Sequence, residues 1–196
     1  MNAHSTTTSP VTFRTPSSED GVDVWDLIRK AGPLDENSVY CNLIQCDHFA
    51  ETCVIAELDG EIVGWISAFI PPDTPDTLFV WQVAVGEPAR GRGVAKKMLT
   101  ELFSRDVCAD VTNLKTTITG DNDASWALFN SFADQMDGEL GYEAHYERDV
   151  HFAGRHDTEY MVTIEDISTD RDATTDSAET ARSDTPAVRM IPDTAS

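Results

Sequence analysis

The sequence predicts a mixed α/β (α+β) domain, a sheet carrying helices on both faces, and three observations lead there. Residues 77–85, TLFVWQVAV, form an apolar run rich in β-branched and aromatic residues, the composition of a buried strand. A glycine-punctuated basic turn follows, and then an apolar stripe at helical spacing: Val94, Ala95, Met98, Leu99, Leu102 and Phe103. Upstream, two β-rich runs flank Asp59-Gly60, a pair that suits a tight type I′ hairpin because both positions tolerate positive φ.

The remaining elements follow in order. Val11 to Arg14 reads as a short first strand, stopped by Pro16. Ser17-Ser18-Glu19-Asp20 has the form of a helix start, a Ser cap with an acid three residues on. Val24, Leu27, Ile28 and Ala31 then mark one helical face that Gly32-Pro33 ends. A second apolar-periodic segment runs through Val39, Leu43 and Ile44 and fades at Phe49. The hairpin spans Thr52 to Leu58 and Glu61 to Ile70, and a proline-rich loop leads into the strand at 77–85. That strand is apolar on both faces, with Phe79, Trp81, Val83 and Val85 on one and Leu78, Val80 and Ala84 on the other, as a central strand requires. After the basic turn and its helix come a strand from Leu114 to Thr119, a helix opened by Asp121-Asn122-Asp123, and strands at Tyr142 to Asp149 and Glu159 to Ile164.

At 196 residues the chain has the size of one domain with a single core. Residues 1–10 are polar, and residues 167–196 are dominated by Asp, Thr, Ser and Ala without apolar periodicity. Both ends are therefore expected to be disordered, leaving residues 11–166 as the domain. The first ten residues have neither the charged start nor the apolar stretch of a signal peptide, and no apolar run approaches the ~20 residues needed to span a bilayer. The expected location is the cytoplasm, without membrane association. Cys41, Cys46, Cys53 and Cys108 form no C-x-x-C pair and no zinc spacing, so reduced, mostly buried thiols and no metal are expected. With 35 acidic and 14 basic residues the formal charge is -21, which repels phosphate backbones and argues against nucleic acid as a partner.

Against that charge the turn after residue 85 stands out. Arg90, Arg92, Lys96 and Lys97 fall within eight residues, where the positive end of a helix dipole would ordinarily favour acids. Gly91 and Gly93 let the backbone approach a ligand. This combination suits a pyrophosphate cradled by backbone N–H groups with cations beside it; the plain alternative is a flexible, solubilising turn. No Gly-Lys-Ser/Thr follows, so it is no Walker loop, and the G-x-G-x-x-G pattern of dinucleotide folds is absent.

The spacing present is Arg90-x-x-Gly93-x-Ala95, placed after an apolar strand and before an amphipathic helix. It resembles the acetyl-CoA loop of the GCN5-related N-acetyltransferases, and the element order over about residues 11–165 agrees. Five blocks narrow the resemblance: Pro33-Leu34-Asp35-x-Asn37-Ser38-x-Tyr40; Pro75-Asp76-Thr77-x-Phe79-x-Trp81-Gln82-Val83-Ala84-Val85-Gly86; Thr116-Thr117-Ile118-Thr119; Asn122-x-Ala124-Ser125-Trp126; and Gly154-x-His156-Asp157-x-Glu159. Together they are similar to the diaminobutyrate acetyltransferases of ectoine biosynthesis. The resemblance implies a mostly antiparallel central sheet, acetyl-CoA as co-substrate, a small diamine as acceptor acetylated on its γ-nitrogen, and direct attack of that amine on the thioester. It assigns acetyl-CoA to Val83, Val85, Arg90, Gly91, Arg92, Gly93, Val94, Ala95 and Asn122, with the backbone N–H of Val83 or Val85 as donor to the thioester carbonyl.

An amine with an ordinary pKa near 10.4 is protonated at pH 7, and freeing its lone pair costs roughly 4–5 kcal/mol. The site therefore needs carboxylates and a proton path. Asp35 and Glu159 are the candidates in the matching blocks, while Glu36 and Asp157 are available acids; in so acidic a chain, solvated surface charge is the competing explanation for each. Trp81 is the third catalytic candidate, either a core aromatic or a wall of the amine pocket. Tyr40 and His156 join Asp35, Trp81 and Glu159 as candidate acceptor-binding residues. One departure is plain: the superfamily's frequent acid, a Tyr seven residues after the motif Asn, falls on Phe129, which donates no proton. Tyr146 and Tyr160 are the available replacements, and unassisted thiolate departure is tolerable because a thiol pKa lies near 8.5.

Two other functions stay open on the sequence: an acetyltransferase for a polyamine or aminoglycoside, and a non-catalytic acyl-CoA-binding module, which the Phe129 departure favours. A homodimer through exposed C-terminal strands is expected. The acidic surface with only four lysines also suits a halophile's salty, osmoadapted cytoplasm. On that reading, raising salt to molar concentration leaves the far-ultraviolet circular dichroism and Tm intact or improved, and loss of structure with salt removes it.

Overall fold

The computed structural model describes residues 9–32 and 36–168. Asp35, the proline expected to follow the first helix, and most of both expected disordered ends lie outside those residues. The elements are β1 (Thr12–Arg14), α1 (Gly21–Lys30), α2 (Val39–His48), β2 (Val54–Leu58), β3 (Glu61–Phe69), β4 (Thr77–Val85), α3 (Val94–Phe103), β5 (Asn113–Thr119), α4 (Asp123–Gln135), β6 (Glu139–Tyr146) and β7 (Glu159–Glu165). This is the order the sequence predicts. The seven strands form one sheet in the order β1-β2-β3-β4-β5-β7-β6, antiparallel except where β4 meets β5.

Local chemistry explains the boundaries. The β2–β3 turn has Asp59 at φ 54° and Gly60 at φ 84°, the positive pair that a two-residue hairpin needs. The α3 stripe is buried at Val94, Met98, Leu99, Leu102 and Phe103. Phe103 meets Phe132 of α4 with ring centroids 5.5 Å apart. These two helices cover one sheet face, and α1 and α2 cover the other through Val24, Leu27, Ile28 and Cys46 against Ile55, Trp65 and Ala84.

The structure departs from the sequence reading in three places. The two apolar faces assigned to β4 do not persist along it. Ser67 of β3 pairs with Gln82 and Ala68 with Val80, so Trp81 is an extra residue without a partner, a β-bulge. Beyond the bulge the alternation changes phase: Leu78, Val80, Val83 and Val85 all pack toward α3 and α4, whereas Ala84 packs toward α1. Second, β6 runs from Glu139 to Tyr146, three residues earlier at each end than the expected Tyr142 to Asp149; Gly138 and Gly141 mask its start in the sequence. Third, Ile167 is only 3% exposed, and its N–H donates to the Thr112 carbonyl at 2.8 Å, so the last described residues pack on the domain.

Three of the four thiols are buried and all four are free. Burial pushes Cys46 and Cys53 up to about 12, keeping them protonated and inert at neutral pH. The entry to α1 is fixed by Asp20, whose carboxylate accepts two bonds from the Arg14 guanidinium at 2.7 and 2.8 Å and one from the Ser17 N–H at 2.7 Å. Arg14 also reaches Glu57 of β2 at 2.8 Å, so the helix start is tied to the sheet edge.

The Arg14 bond, with the Ser17 bonds behind it, holds the Asp20 carboxyl below the usual carboxylate range. A lowered folded pKa contributes stability above the unfolded value near 3.9 and loses it as pH falls through the folded value. Asp20→Asn is therefore expected to cost about 1–2 kcal/mol at pH 7, a figure discounted for the solvent exposure of Arg14. The difference between the two proteins shrinks toward zero as pH falls below about 4, measured by urea unfolding across pH.

Candidate active site

The site begins with an incomplete pairing. β4 and β5 run parallel and pair only through Thr77, Leu78 and Phe79 with Asn113, Leu114 and Lys115. Past that point β4 stays on β3 as far as Val85, and β5 stays on β7 as far as Thr119. Each strand keeps its outer partner and parts from its inner one, so the sheet opens as a wedge with backbone N–H and C=O groups on its inner walls.

A cavity of about 290 Å³ fills the wedge, lined on one wall by Val80, Trp81, Gln82 and Val83 and on the other by Thr116 to Thr119. The orientation of the β4 amides follows from their neighbours. Gly86 N–H donates to Val63 of β3 at 2.8 Å, while the Val85 carbonyl accepts from Arg90 Nε at 3.1 Å on the other side. Along an antiparallel strand a residue turns its N–H and C=O the same way, and the next residue turns them oppositely. Val85 and Val83 therefore direct their N–H groups toward the parted strand.

A second, larger cleft of about 780 Å³ adjoins the wedge, between the end of β4, the basic turn and the start of α4. Arg90 and Ala95 line it, as do Val83, Val85 and Asn122. Gly91 and Gly93 have φ of 71° and 69°, and Gly93 caps α3 in the left-handed conformation. A Cβ at either would meet nothing within 4 Å, so backbone conformation, rather than crowding, requires glycine there. Arg90 donates to the carbonyls of Val85 and Ala31, and Arg92 turns to the Ser9 carbonyl at 2.9 Å. Thus Arg90 lies at the cleft while Arg92 fastens the turn to the N-terminal segment, and Val94 is in the core. Asn122 caps α4, its side-chain oxygen accepting from Ser125 N–H at 3.1 Å.

The acceptor candidates divide. Trp81, half exposed on the bulge, lines the wedge together with His156 and Glu159. Glu159 opens β7 opposite Thr119. His156 sits on the loop between β6 and β7, with Nε2 3.7 Å from a Glu159 oxygen and Nδ1 2.8 Å from the Asp157 carbonyl. Asp157 itself pairs outward with Arg148 at 3.0 Å. Tyr40 is 71% exposed on the first turn of α2 and is not among the wedge-lining residues. Asp35 lies outside the described residues. Glu36 pairs with Arg29 at 3.5 Å on the surface.

Several lining residues carry no role in the sequence reading. Asn37 donates from Nδ2 to Gln82 Oε1 at 3.3 Å across the wedge mouth, and its carbonyl accepts from Trp25 Nε1 at 3.0 Å. Thr116, Thr117, Thr119 and Ser125 line the cavity, and Phe129 is buried against it. The signal was present: three threonines in four residues put hydroxyls on a strand inside the sheet, where each buried one needs a hydrogen-bonding partner. Among the described residues no cluster of three or more His, Cys, Asp or Glu could hold a metal ion.

The chain is similar to known proteins over most of its length. The model of the acetyltransferase (GNAT) family matches residues 22–133. Over 154 residues the chain is 47% identical to the L-2,4-diaminobutyric acid acetyltransferase of Methylotuvimicrobium alcaliphilum, covering 79% of this chain and 90% of that one. The protein of the same name from Halomonas elongata is 41% identical over 164 residues, covering 83% of this chain and 85% of its own. The structure of diaminobutyrate acetyltransferase EctA from Paenibacillus lautus, in complex with its substrate L-2,4-diaminobutyric acid and coenzyme A, matches with a TM-score of 0.78. It is 41% identical, covering 83% of this chain and 98% of that chain.

The left-handed conformation of Gly93 sets a measurable cost for replacing it. Gly93→Ala is expected to cost about 1 kcal/mol in urea unfolding through backbone strain alone, and Gly93→Asn less, since Asn tolerates this conformation. Equal stability of all three proteins would show that the turn does not need positive φ.

Proposed function

The chain belongs to the GNAT acetyltransferase family and, within it, to the L-2,4-diaminobutyric acid acetyltransferases, and from that premise we propose how its wedge and cleft divide the work. The protein is an acetyl-CoA-dependent N-acetyltransferase that acetylates L-2,4-diaminobutyrate for ectoine synthesis. The acetylated atom in this reading is the γ-nitrogen, giving N4-acetyl-L-2,4-diaminobutyrate. The observation that carries the division is that cleft and wedge meet at the same few residues, among them Val83 and Asn122.

The cleft takes acetyl-CoA. The turn from Arg90 to Ala95 receives the pyrophosphate, and the N–H of Val83 donates to the acetyl carbonyl, where negative charge grows as the amine adds. The wedge takes the diamine from the other side. Glu159, at the wedge wall and 17% exposed, binds the ammonium and passes its excess proton outward through water. His156 orders that carboxylate and contacts the acceptor, and the Trp81 ring forms the wall against the alkyl chain. Asp35, from the segment before α2, and Tyr40, on its first turn, are the remaining acceptor-binding residues of this reading.

The assembly we infer is a homodimer. β6 presents an open edge with Tyr142 65% exposed, a surface that a second copy would cover. The cytoplasm is the compartment inferred, since it supplies acetyl-CoA; among the described residues no helix is long and apolar enough to cross a membrane.

Thiol release from acetyl-CoA with a panel of amines tests the acceptor. Diaminobutyrate is expected to exceed spermidine in kcat/KM by about 10²-fold or more, and tandem mass spectrometry is expected to locate the acetyl group on the γ-nitrogen. Comparable rates with spermidine, or acetylation at the α-nitrogen, would overturn the assignment.

A further inference from the structure

The reaction ends with a thiolate leaving into a site whose usual proton donor position is occupied by a buried phenyl ring. Phe129 is 2% exposed and lines the wedge. The two tyrosines available in the sequence are turned elsewhere. Tyr160 packs on Trp126 and Tyr142, and Tyr146 packs on His145, His151 and Phe152, and neither lines the wedge or the cleft. Any group that meets the sulfur is therefore another one lining these cavities.

On the division proposed above, the thioester falls where the two cavities join, its acyl end toward the acceptor and its pantetheine end in the cleft. Four residues line both cavities: Val83, Thr119, Asn122 and Ser125. Val83 has no polar side chain. The Asn122 side chain is tied to the start of α4, its oxygen accepting from the Ser125 N–H, and its Nδ2 is left for the CoA arm that the resemblance assigns to it. Thr119 stands on β5 with Glu159 opposite it, toward the acceptor, and its carbonyl is held by Trp126 Nε1 at 3.1 Å. Ser125 lies one helical turn before Phe129, on the same face of α4. Its cap bond uses only its backbone, and the residue lines both cavities at their junction.

We propose that Ser125 is a catalytic residue whose hydroxyl donates a hydrogen bond to the departing CoA sulfur, and this rests on the reaction proposed above. The amine lone pair forms the C–N bond, and the carbonyl π pair moves to oxygen. When that pair returns, the C–S bond breaks and its electrons stay on sulfur as thiolate. The excess proton on nitrogen leaves through Glu159 and water. Ser125 keeps its own proton throughout and stabilises the sulfur anion, which departs as thiolate and takes a proton from solvent. A hydroxyl suffices because the leaving group is a weak base, with an ordinary pKa near 8.5.

Two measurements on the full-length protein test this. In steady-state assays Ser125→Ala is expected to lower kcat by about 10–100-fold with KM for acetyl-CoA changed less than about twofold, and the added Phe129→Tyr change is expected to restore about tenfold of the loss. In the second, CoA bound to the enzyme is titrated by its ultraviolet thiolate absorbance. A hydrogen bond to the charged form lowers a pKa, so Ser125→Ala is expected to raise that of the bound thiol by about 0.5–1 unit. Desulfo-CoA, which lacks the sulfur, is expected to bind wild type and variant equally. The titration needs no amine turnover, so a wrong acceptor assignment leaves it informative. Three results would overturn the proposal: an unchanged thiol pKa with wild-type kcat, an equal loss of affinity for CoA and desulfo-CoA, or the whole effect appearing with Thr119→Val instead.

Discussion

The short parallel seam between β4 and β5 is the constraint on which the rest depends. Three residue pairs hold the two halves of the sheet together, and the strands then part. Were the ladder continued to Val85 and Thr119, the N–H groups of Val83 and Val85 would be consumed by β5 and the cavity would close. Every functional element is arranged around that interruption. The basic turn springs from the end of one parted strand, α4 from the end of the other, and Glu159 from the strand beside it.

An opened ladder leaves polar backbone exposed inside the protein, and such groups are costly unless satisfied. Side chains from the next element meet two of them at the mouth. Arg90 donates to the Val85 carbonyl, and the Trp126 indole donates to the Thr119 carbonyl. Beside them, Asn37 donates to the Gln82 side chain across the mouth. The carbonyls at the ends of the two strands are therefore met by protein, while the Val83 and Val85 amides keep their direction toward the gap. Cores on both faces hold the halves rigid, with Phe103 and Phe132 packed on one side and Trp65, Val24 and Ile28 on the other. Preorganised donors of this kind need no rearrangement as charge develops.

The fold was largely legible because its signals are local. Period and composition located β4 to the residue, the α3 stripe matched its buried face, and Asp59-Gly60 marked the hairpin. Acetyl-CoA was legible for a similar reason: Arg90-x-x-Gly93-x-Ala95 is a contiguous pattern whose glycines do have positive φ. The acceptor side was read less completely. Tyr40 and Trp81 belong to equally well-matched blocks, yet one stands 71% exposed on α2 and the other on the wedge. Asn37, Gln82, Thr119 and Ser125 come from four separate segments that only the tertiary fold brings together. The β4 faces failed for one specific reason: alternation counts residues, and a bulge adds one that the pairing does not count.

That extra residue gives Trp81 a meaning separate from its indole. Position 81 works as a spacer that resets the phase of the strand, so Val83 and Val85 share a face with Leu78 and Val80. A side-chain replacement there alters one wall of one cavity. A one-residue deletion or insertion between 80 and 83 would rotate everything downstream by half a turn of the pleat, exchanging the residues that face α1 with those that face α3 and swinging the free amides back toward β3. A change of length is better borne by an exposed segment such as 71–76, outside the pairing. The stretch from 77 to 95 behaves as a unit of fixed length, whose spelling can drift further than its count.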